Sequence, residues 1–411
     1  MISEGWEVIK VQCQGQTYFK LYKDHNAMIS LKKMLLSTFV FSSVVSGAPA
    51  QASLSGLFGM SGFHSTAGLY TQFIAENLHK AFIPGAVVGI WQPGRPTYLQ
   101  SFGTADLTKK SFMSIRMAMP IGNITTAFTV RALLDLAKAG EIQLNAPVSQ
   151  YLSDVPEGST ITVADLAQMR SGLVDYLGDP AFLRENQAHP DARLSPEQLL
   201  HYSFAHPLLF KPGSRFDYSN TNTILLGLII EKVTGKPLFK VINELVLQPY
   251  KLSNTTFLTN FADPYLQVQG YTSADHVQKM LPVAWNPSLY WASGAMTATA
   301  TDLQRWAEIN ADLNEFAPIL AHYGQTDKSA KKVCSTPYFW GSFENHGWVG
   351  DTSHLAGFES LAIYAPKLKD TIVILLNSDA TENGIPVAAK LAQQLSRYIS
   401  PEDVYQAAER P

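Results

Sequence analysis

The chain has 411 residues, a length that suits one large domain or two ordinary ones. Apolar residues make up 46% of it and charged residues 16%, which supplies a large core and excludes a disordered chain. The net charge of −3 without a basic block argues against a nucleic-acid partner, and the absence of an apolar run of about 18 residues argues against a membrane protein. The two cysteines exclude a disulfide framework and a cysteine-based zinc site.

Segment 28–52 has the pattern of an export signal. Two lysines, Lys32 and Lys33, precede the apolar stretch 34–46, and small residues at the end of the segment form cleavage sites. The apolar stretch is too short to span a bilayer, so we expect cleavage after Ala52 and a protein that is exported, either periplasmic or secreted. A short buried helix is the alternative interpretation.

A signal of this kind begins at its own methionine, so we interpret residues 1–27 as an upstream extension caused by a misplaced start. If Met1 is the true start, segment 28–52 would instead anchor the protein. Residues 53–411 are predicted to form the folded domain, and no integral membrane span is expected once the signal is removed.

Helices and strands alternate near the start of this domain. Apolar spacing predicts a helix over 66–82, followed by two strands at 86–91 and 97–102 that a Pro-Gly turn joins. A further helix is predicted to begin near Asn123, a favoured N-cap residue, and to end at Gly140. Apolar residues cover most of its girth, so we expect it to be buried.

The middle of the domain, residues 146–290, is predicted to be largely helical with loops rich in proline and glycine. Its candidate helices are 163–169, 196–204 and 223–233. The tail returns to strands over 338–378 and closes with an amphipathic helix over 385–399. The sequence therefore predicts an α/β (α+β) body, formed by about 53–145 and 291–411, that is interrupted by a helical part.

Several segments of the domain carry specific motifs. They are Ile83-Pro-Gly-Ala-Val-Val88, Leu209-Phe-Lys-Pro-Gly-Ser-Arg-Phe-Asp-Tyr-Ser-Asn220 and Ala292-Ser-Gly-Ala-Met296. In these segments the sequence resembles the serine β-lactamase and penicillin-binding-protein family, and within it the branch of class C β-lactamases, D-Ala-D-Ala carboxypeptidases and related esterases. The resemblance covers nearly all of residues 53–411. It implies an antiparallel sheet flanked by terminal helices, with a largely helical subdomain.

The resemblance implies three catalytic elements, and the first of them is degenerate here. The family's Ser-x-x-Lys at the start of the buried helix supplies a nucleophile and an amine, and these positions hold Asn123 and Thr126. The second element, Tyr-x-Asn, is intact as Tyr218 and Asn220. By resemblance, the phenol serves the leaving group and the amide orients the substrate.

The third element of the family is Lys/His-Thr-Gly on an edge strand, which supplies positive charge for a substrate carboxylate. The matching residues, which the resemblance predicts to bind substrate, are Asp351, Thr352, Ser353 and His354. Aspartate in place of the basic residue reverses a charge, so we expect an anionic carboxylate to be repelled. The resemblance also assigns an oxyanion hole to the backbone N–H groups of Asn123 and His354, which a change of side chain does not remove.

The changes in the first element decide the expected chemistry. An amide nitrogen is a poor nucleophile, so we do not expect Asn123 to form an acyl-enzyme, and Thr126 has no amine to act as a base. We therefore expect a catalytically impaired family member that binds a small-molecule or peptide-like, cell-wall-derived or ester ligand. The alternatives are an active esterase or D-Ala-D-Ala carboxypeptidase with Thr125 or Thr126 as nucleophile, and a structural or interaction protein with an unused cleft. No cofactor, metal ion or nucleic-acid partner is expected.

Overall fold

In the computed structural model, the described residues are 7–13, 16–22, 65–259, 267–273, 280–320, 336–339 and 342–407. The predicted export signal at 28–52 lies outside them. The stretch interpreted as an upstream extension contains two strands, Glu7–Cys13 and Gln16–Tyr22, which pair as an antiparallel hairpin. These two strands were not predicted from the sequence.

Seventeen strands are present among the described residues. They are β1 Glu7–Cys13, β2 Gln16–Tyr22, β3 Gly85–Trp91, β4 Tyr98–Asp106, β5 Ser111–Phe112, β6 Met119–Pro120, β7 Thr256–Phe257, β8 Gly270–Ser273, β9 Met280–Val283, β10 Met296–Ala298, β11 Thr336–Phe339, β12 Ser342–Asn345, β13 Trp348–Leu355, β14 Phe358–Ala365, β15 Asp370–Leu376, β16 Thr381–Glu382 and β17 Ile385–Pro386. Eight of them form the main antiparallel sheet, in the order β11-β12-β13-β14-β15-β3-β4-β5. A smaller sheet has the order β6-β10-β7 and leads into the buried helix.

Ten α-helices lie in the same part of the chain. They are α1 Thr66–Lys80, α2 Ile124–Lys138, α3 Val163–Ala167, α4 Pro180–Ala188, α5 Pro196–Phe204, α6 Asn220–Thr234, α7 Leu238–Ile242, α8 Ala300–Ala311, α9 Ala317–Leu320 and α10 Val387–Ile399. A π-helical turn, Asn243–Leu247, continues α7. No helix of the described residues combines the length and the apolar character needed to cross a bilayer.

The main sheet separates two apolar cores, because successive side chains of a strand point to opposite faces. Val88 of β3 belongs to the core beneath the terminal helices, which Leu78 of α1 and Leu391 of α10 complete. The adjacent Val87 belongs to the second core, with Phe128 of α2. Both faces of the central strands are therefore covered, which explains their nearly continuous apolar sequence.

The second core positions the start of α2 against the sheet. Phe128 stacks on Trp306 of α8, with ring centroids 3.8 Å apart, and both rings are buried. Burial of a phenylalanine side chain stabilises a fold by about 1.5–3 kcal/mol, so this contact anchors α2 firmly. The first turn of α2 thus lies on the same side of the sheet as α8.

The structure confirms the predicted antiparallel sheet with terminal helices and a helix-rich middle. The buried helix spans Ile124–Lys138, close to its predicted limits, and Pro196–Phe204 is helical as expected. Four helices were missed: the short Leu238–Ile242 and Ala317–Leu320, and the longer Pro180–Ala188 and Ala300–Ala311. Each of the two longer helices begins after an N-capping side chain, Asp179 or Thr299, and the short apolar pattern that follows hid this signal.

Candidate functional site

The start of α2 is held by contacts from both sheets. The Ile121 N–H donates to the Met296 carbonyl (3.0 Å), and the Met296 N–H donates to the hydroxyl of Thr125 (3.3 Å). The hydroxyl of Ser360 in β14 donates to the Pro120 carbonyl (2.8 Å). These bonds fix the turn that leads into the helix.

Asn123 precedes α2 as its N-cap residue, but its side chain does not cap the helix. The amide Nδ2 instead donates a 2.9 Å hydrogen bond to the hydroxyl of Tyr218. Tyr218 is only 7% exposed, and its hydroxyl donates onward to Oδ1 of Asn220 (3.4 Å). The residue that the sequence resemblance matches to the family's serine is therefore a neutral amide bonded to the Tyr-x-Asn loop.

Asp175 continues this series of hydrogen bonds from a different loop. Its Oδ2 accepts from Nδ2 of Asn220 (3.0 Å), and its Oδ1 accepts from the Asn220 backbone N–H (3.2 Å). That N–H lies at the N-terminus of α6, where a carboxylate is favourable. Burial raises the pKa of Asp175 to about 6, and the bond from Asn220 opposes part of this effect.

The family's lysine position lies one turn into α2 and holds Thr126. This residue is 2% exposed, and its hydroxyl has no hydrogen-bond partner within the described part of the chain. The neighbouring Thr125 is also buried, and its hydroxyl accepts the bond from Met296. Neither hydroxyl is presented to solvent, which is unfavourable for attack on a ligand.

Ser353 of β13 contacts the start of α2 from the main sheet. Its hydroxyl accepts a 3.0 Å hydrogen bond from the backbone N–H of Asn123. This approach requires glycine at position 122, where φ is +43° and where a Cβ would lie 2.0 Å from Ser353 Oγ. A side chain in the family's glycine position therefore fills space next to the helix terminus.

Asp351 lies two residues earlier on the same face of β13, with its carboxyl beside β12 and α8. The Ser342 hydroxyl donates to Oδ2 of Asp351 (2.8 Å) and accepts from Nδ2 of Asn310 in α8 (2.6 Å). Burial raises the pKa of Asp351 to about 8, against a smaller opposing effect of Ser342. A pKa raised this far favours the neutral carboxyl near pH 7, so the predicted repulsion of a ligand carboxylate is expected mainly at higher pH.

The side chains of Thr352 and His354 lie on the opposite face of β13, because residues of a strand alternate in direction. Nδ1 of His354 is 3.2 Å from Oε1 of Glu359, the residue directly opposite on β14. The other oxygen of Glu359 accepts from the Ala388 N–H at the start of α10 (2.8 Å), and burial raises the pKa of Glu359 well above its usual range. This placement corrects the expectation that these two side chains join the site.

Of the predicted site residues, the structure brings four into one hydrogen-bonded group: Asn123, Tyr218, Asn220 and Ser353. Asp175 belongs to the same group and was missed. It caps the 3₁₀ turn Tyr176–Gly178, so an aspartate before a turn was a usable local signal. This local signal does not predict the contact of Asp175 with α6, however, because that helix begins 45 residues later.

Comparison with known proteins gives one family and a consistent set of relatives. A sequence model described as Beta-lactamase matches residues 71–396. Protein flp of Staphylococcus aureus (strain MW2) is 31% identical over 324 residues, which cover 74% of this chain and 61% of that protein. The chain therefore spans less than two thirds of the length of this relative.

Two solved structures show the same fold. A D-stereospecific amidohydrolase from Streptomyces sp. superimposes with a TM-score of 0.68 at 26% identity, over 81% of this chain and 98% of that chain. The D-amino acid amidase from Ochrobactrum anthropi SV3, solved with L-phenylalanine amide, gives a TM-score of 0.65 at 21% identity, over 76% of this chain and 92% of that chain. At that identity, the second likeness shows the fold alone.

Proposed function

This chain belongs to the beta-lactamase family of serine hydrolases, and we propose that it is a member with impaired acyl transfer that keeps a ligand cleft. The ligand would be peptide-like, cell-wall-derived or ester-like. The observation that carries the proposal is the amide of Asn123, which stands in the serine position and donates to Tyr218.

Acyl transfer through this position needs a hydroxyl that can give up its proton during attack. The amide nitrogen of Asn123 is a poor nucleophile, because its lone pair is delocalised into the carbonyl. The buried Thr126 supplies no amine at the second position. Loss of the serine nucleophile in another hydrolase lowers turnover by about 10⁶, and we expect a loss of that scale here.

The intact Tyr-x-Asn loop supports the retained ligand cleft. Tyr218, Asn220 and Asp175 are joined by hydrogen bonds, so the loop is held in place without a ligand. Of the two proteins that share the fold, one is named a D-stereospecific amidohydrolase, and the other is a D-amino acid amidase that was solved with L-phenylalanine amide. Amino-acid amides and short peptides are therefore the first ligands that we propose for this chain.

We also propose that the protein is exported to a periplasm or to the medium. The order of positive charge, apolar stretch and small residues in segment 28–52 supports this proposal. The test is expression of the full chain in a bacterium, followed by cell fractionation and N-terminal sequencing. A new N-terminus after Ala52 outside the cytoplasm is expected, whereas an uncleaved cytoplasmic chain would contradict export.

A structural or interaction role with an unused cleft is the second candidate. The contact between the Ser353 hydroxyl and the Asn123 N–H favours it, because a side chain of the protein itself fills that position. An active hydrolase with a threonine nucleophile is the third candidate, and the burial of Thr125 and Thr126 counts against it.

Intact-mass measurement after incubation with a β-lactam and with a p-nitrophenyl ester tests the impairment. We expect no adduct on the wild-type chain, and Asn123→Ser/Thr126→Lys serves as the restored comparison. A stoichiometric wild-type adduct would overturn the proposal, and peptide mapping would then begin at Thr125. Titration with L-phenylalanine amide tests the cleft: saturable binding that weakens in Asn220→Ala supports it, and no binding favours the second candidate.

A further inference from the structure

The hydroxyl of Ser353 accepts a hydrogen bond from the backbone N–H of Asn123, at the N-terminus of α2. The residue is 7% exposed, and its hydroxyl oxygen lies 3.0 Å from the Asn123 nitrogen, which donates the bond. Asn123 itself is half-buried. The N–H group is closed to a ligand oxygen while the serine hydroxyl stays in place.

Packing around the turn fixes the serine hydroxyl in this position. A Cβ on Gly122 would lie 2.0 Å from Ser353 Oγ and 2.8 Å from Leu355 Cγ, so the turn fits closely against β13. The residue opposite Ser353 on β14 is Ser360, whose hydroxyl donates to the Pro120 carbonyl (2.8 Å). Neighbouring strands thus hold the turn and the serine in a single arrangement.

The Asn123 N–H that donates to Ser353 would bind an acceptor with more negative charge than a hydroxyl more tightly. It lies at the N-terminus of a 15-residue helix, where the aligned peptide dipoles place partial positive charge. Hydrogen bonds to an ionised oxygen are roughly twice as strong as bonds to a neutral one. One turn further on, the hydroxyl of Thr126 is 2% exposed and has no hydrogen-bond partner within the described residues.

We propose that Ser353 is an internal blocking residue, whose hydroxyl must leave the Asn123 N–H before any ligand oxygen can bind there. A neutral ester or amide carbonyl competes poorly with this hydroxyl, whereas a carboxylate or a phosphonate displaces it. The inference rests on the proposed function only in taking the surroundings of Asn123 as the ligand cleft. It adds a second cause of impairment, independent of the lost nucleophile.

The first test follows the Asn123 amide by nuclear magnetic resonance in the full chain, with sodium acetate as the probe. Ser353→Gly removes the side chain, and Ser353→Ala removes the hydroxyl alone, in case the glycine variant folds poorly. Ser101→Gly is the matched control. Ser101 pairs with Val87, so its side chain lies on the same face of the sheet as that of Ser353, but its strand β4 is four strands away from β13.

In both Ser353 variants we expect the Asn123 amide to exchange with solvent about tenfold faster than in wild type, because its hydrogen bond is lost. Acetate should shift the Asn123 resonance saturably in these variants, and should do so only at higher concentration in wild type and in Ser101→Gly. Equal exchange rates and equal acetate responses in the Ser353 variants and wild type would overturn the blocking role.

The second test adds Ser353→Gly to the restored Asn123→Ser/Thr126→Lys chain and measures acylation by p-nitrophenyl acetate. We expect acylation to accelerate on the order of 10- to 100-fold, because loss of one oxyanion donor in another hydrolase costs 10²–10³-fold. An unchanged rate would overturn the blocking role, whereas acylation of the wild-type chain would overturn the proposed impairment, so the two failures are distinguishable. If neither restored chain is acylated, the solvent exchange and the acetate response of the Asn123 amide decide whether Ser353 blocks that N–H.

Discussion

The side-chain amide of Asn123 and the hydroxyl of Tyr218 are joined by a 2.9 Å hydrogen bond. The bond connects the two residues that the sequence resemblance matches to the family's serine and tyrosine. The tyrosine oxygen accepts it from a side-chain amide. Since Tyr218 is buried, removing either partner costs the other one hydrogen bond.

Replacement of Tyr218 by phenylalanine tests this bond. We expect Tyr218→Phe to lower the free energy of unfolding by about 1–3 kcal/mol, because the Asn123 amide and Asn220 Oδ1 lose a partner. Urea unfolding measures the change. Tyr98→Phe is the control, since it removes a hydroxyl paired with Thr71 (3.1 Å) outside the site and should leave the binding of L-phenylalanine amide unchanged. Identical ligand affinity in Tyr218→Phe and wild type would contradict a place for Tyr218 in the cleft.

Alanine at position 122 tests the close approach of Ser353. Gly122 and Gly94 both have positive φ, +43° and +72°, but only at 122 would a Cβ meet other atoms. Left-handed backbone costs about 1–2 kcal/mol at either site, and overpacking adds about 1–3 kcal/mol at 122 alone. We therefore expect Gly122→Ala to lose more unfolding free energy than Gly94→Ala.

Ser353→Gly in the same chain should recover the part of the overpacking loss that comes from Ser353, but not the part that comes from Leu355 or the backbone part. Thermal or urea unfolding of the four variants completes the double-mutant cycle. Additive effects of Gly122→Ala and Ser353→Gly would show that the two positions do not interact.

The pH dependence of stability tests the burial of Asp351. Its pKa in the folded chain is about 8, above about 3.9 in an unfolded chain, so the folded state keeps a proton that the unfolded state releases. The stability that this proton contributes is full below about pH 4 and is lost as the pH rises to about 8.

We accordingly expect Asp351→Asn to gain stability relative to wild type as the pH rises through that window, by up to about 1.4 kcal/mol per pH unit. Urea unfolding at several pH values measures the difference between the two chains. The exposed Asp154 provides the control variant, Asp154→Asn, which should show no such trend. A difference between Asp351→Asn and wild type that stays constant with pH would mean that the carboxyl is not held in its protonated form.

Removal of the Asp175 carboxylate tests whether this residue, which was not predicted from the sequence, holds Asn220 in place. Asp175→Ala leaves two donors of Asn220 without their acceptor, at the N-terminus of α6. We expect a loss of about 1–3 kcal/mol in unfolding free energy at pH 7.5 and weaker binding of L-phenylalanine amide. Calorimetric titration measures the second effect, and unchanged affinity would confine Asp175 to a structural role.

Local periodicity explains how much of the fold was predictable. The apolar spacing of the helix at Ile124–Lys138 and the apolar run of β15 are signals carried by neighbouring residues, so both elements were found. The faces of β13 were harder to assign, because its residues are buried or half-buried along the whole strand. The motif match placed Asp351 and His354 in one site, whereas strand alternation separates their side chains.

The sequence alone determined which side chains stand at the start of α2, an amide at position 123 and a hydroxyl at position 126. Only the tertiary structure decided which bonds are made there. Ser353 reaches the Asn123 N–H across 230 positions of the chain, and burial between β12 and α8 raises the pKa of the Asp351 carboxyl to about 8. The physical reason is that side-chain chemistry is a property of each residue, whereas distance and solvation depend on packing between segments that are remote in sequence.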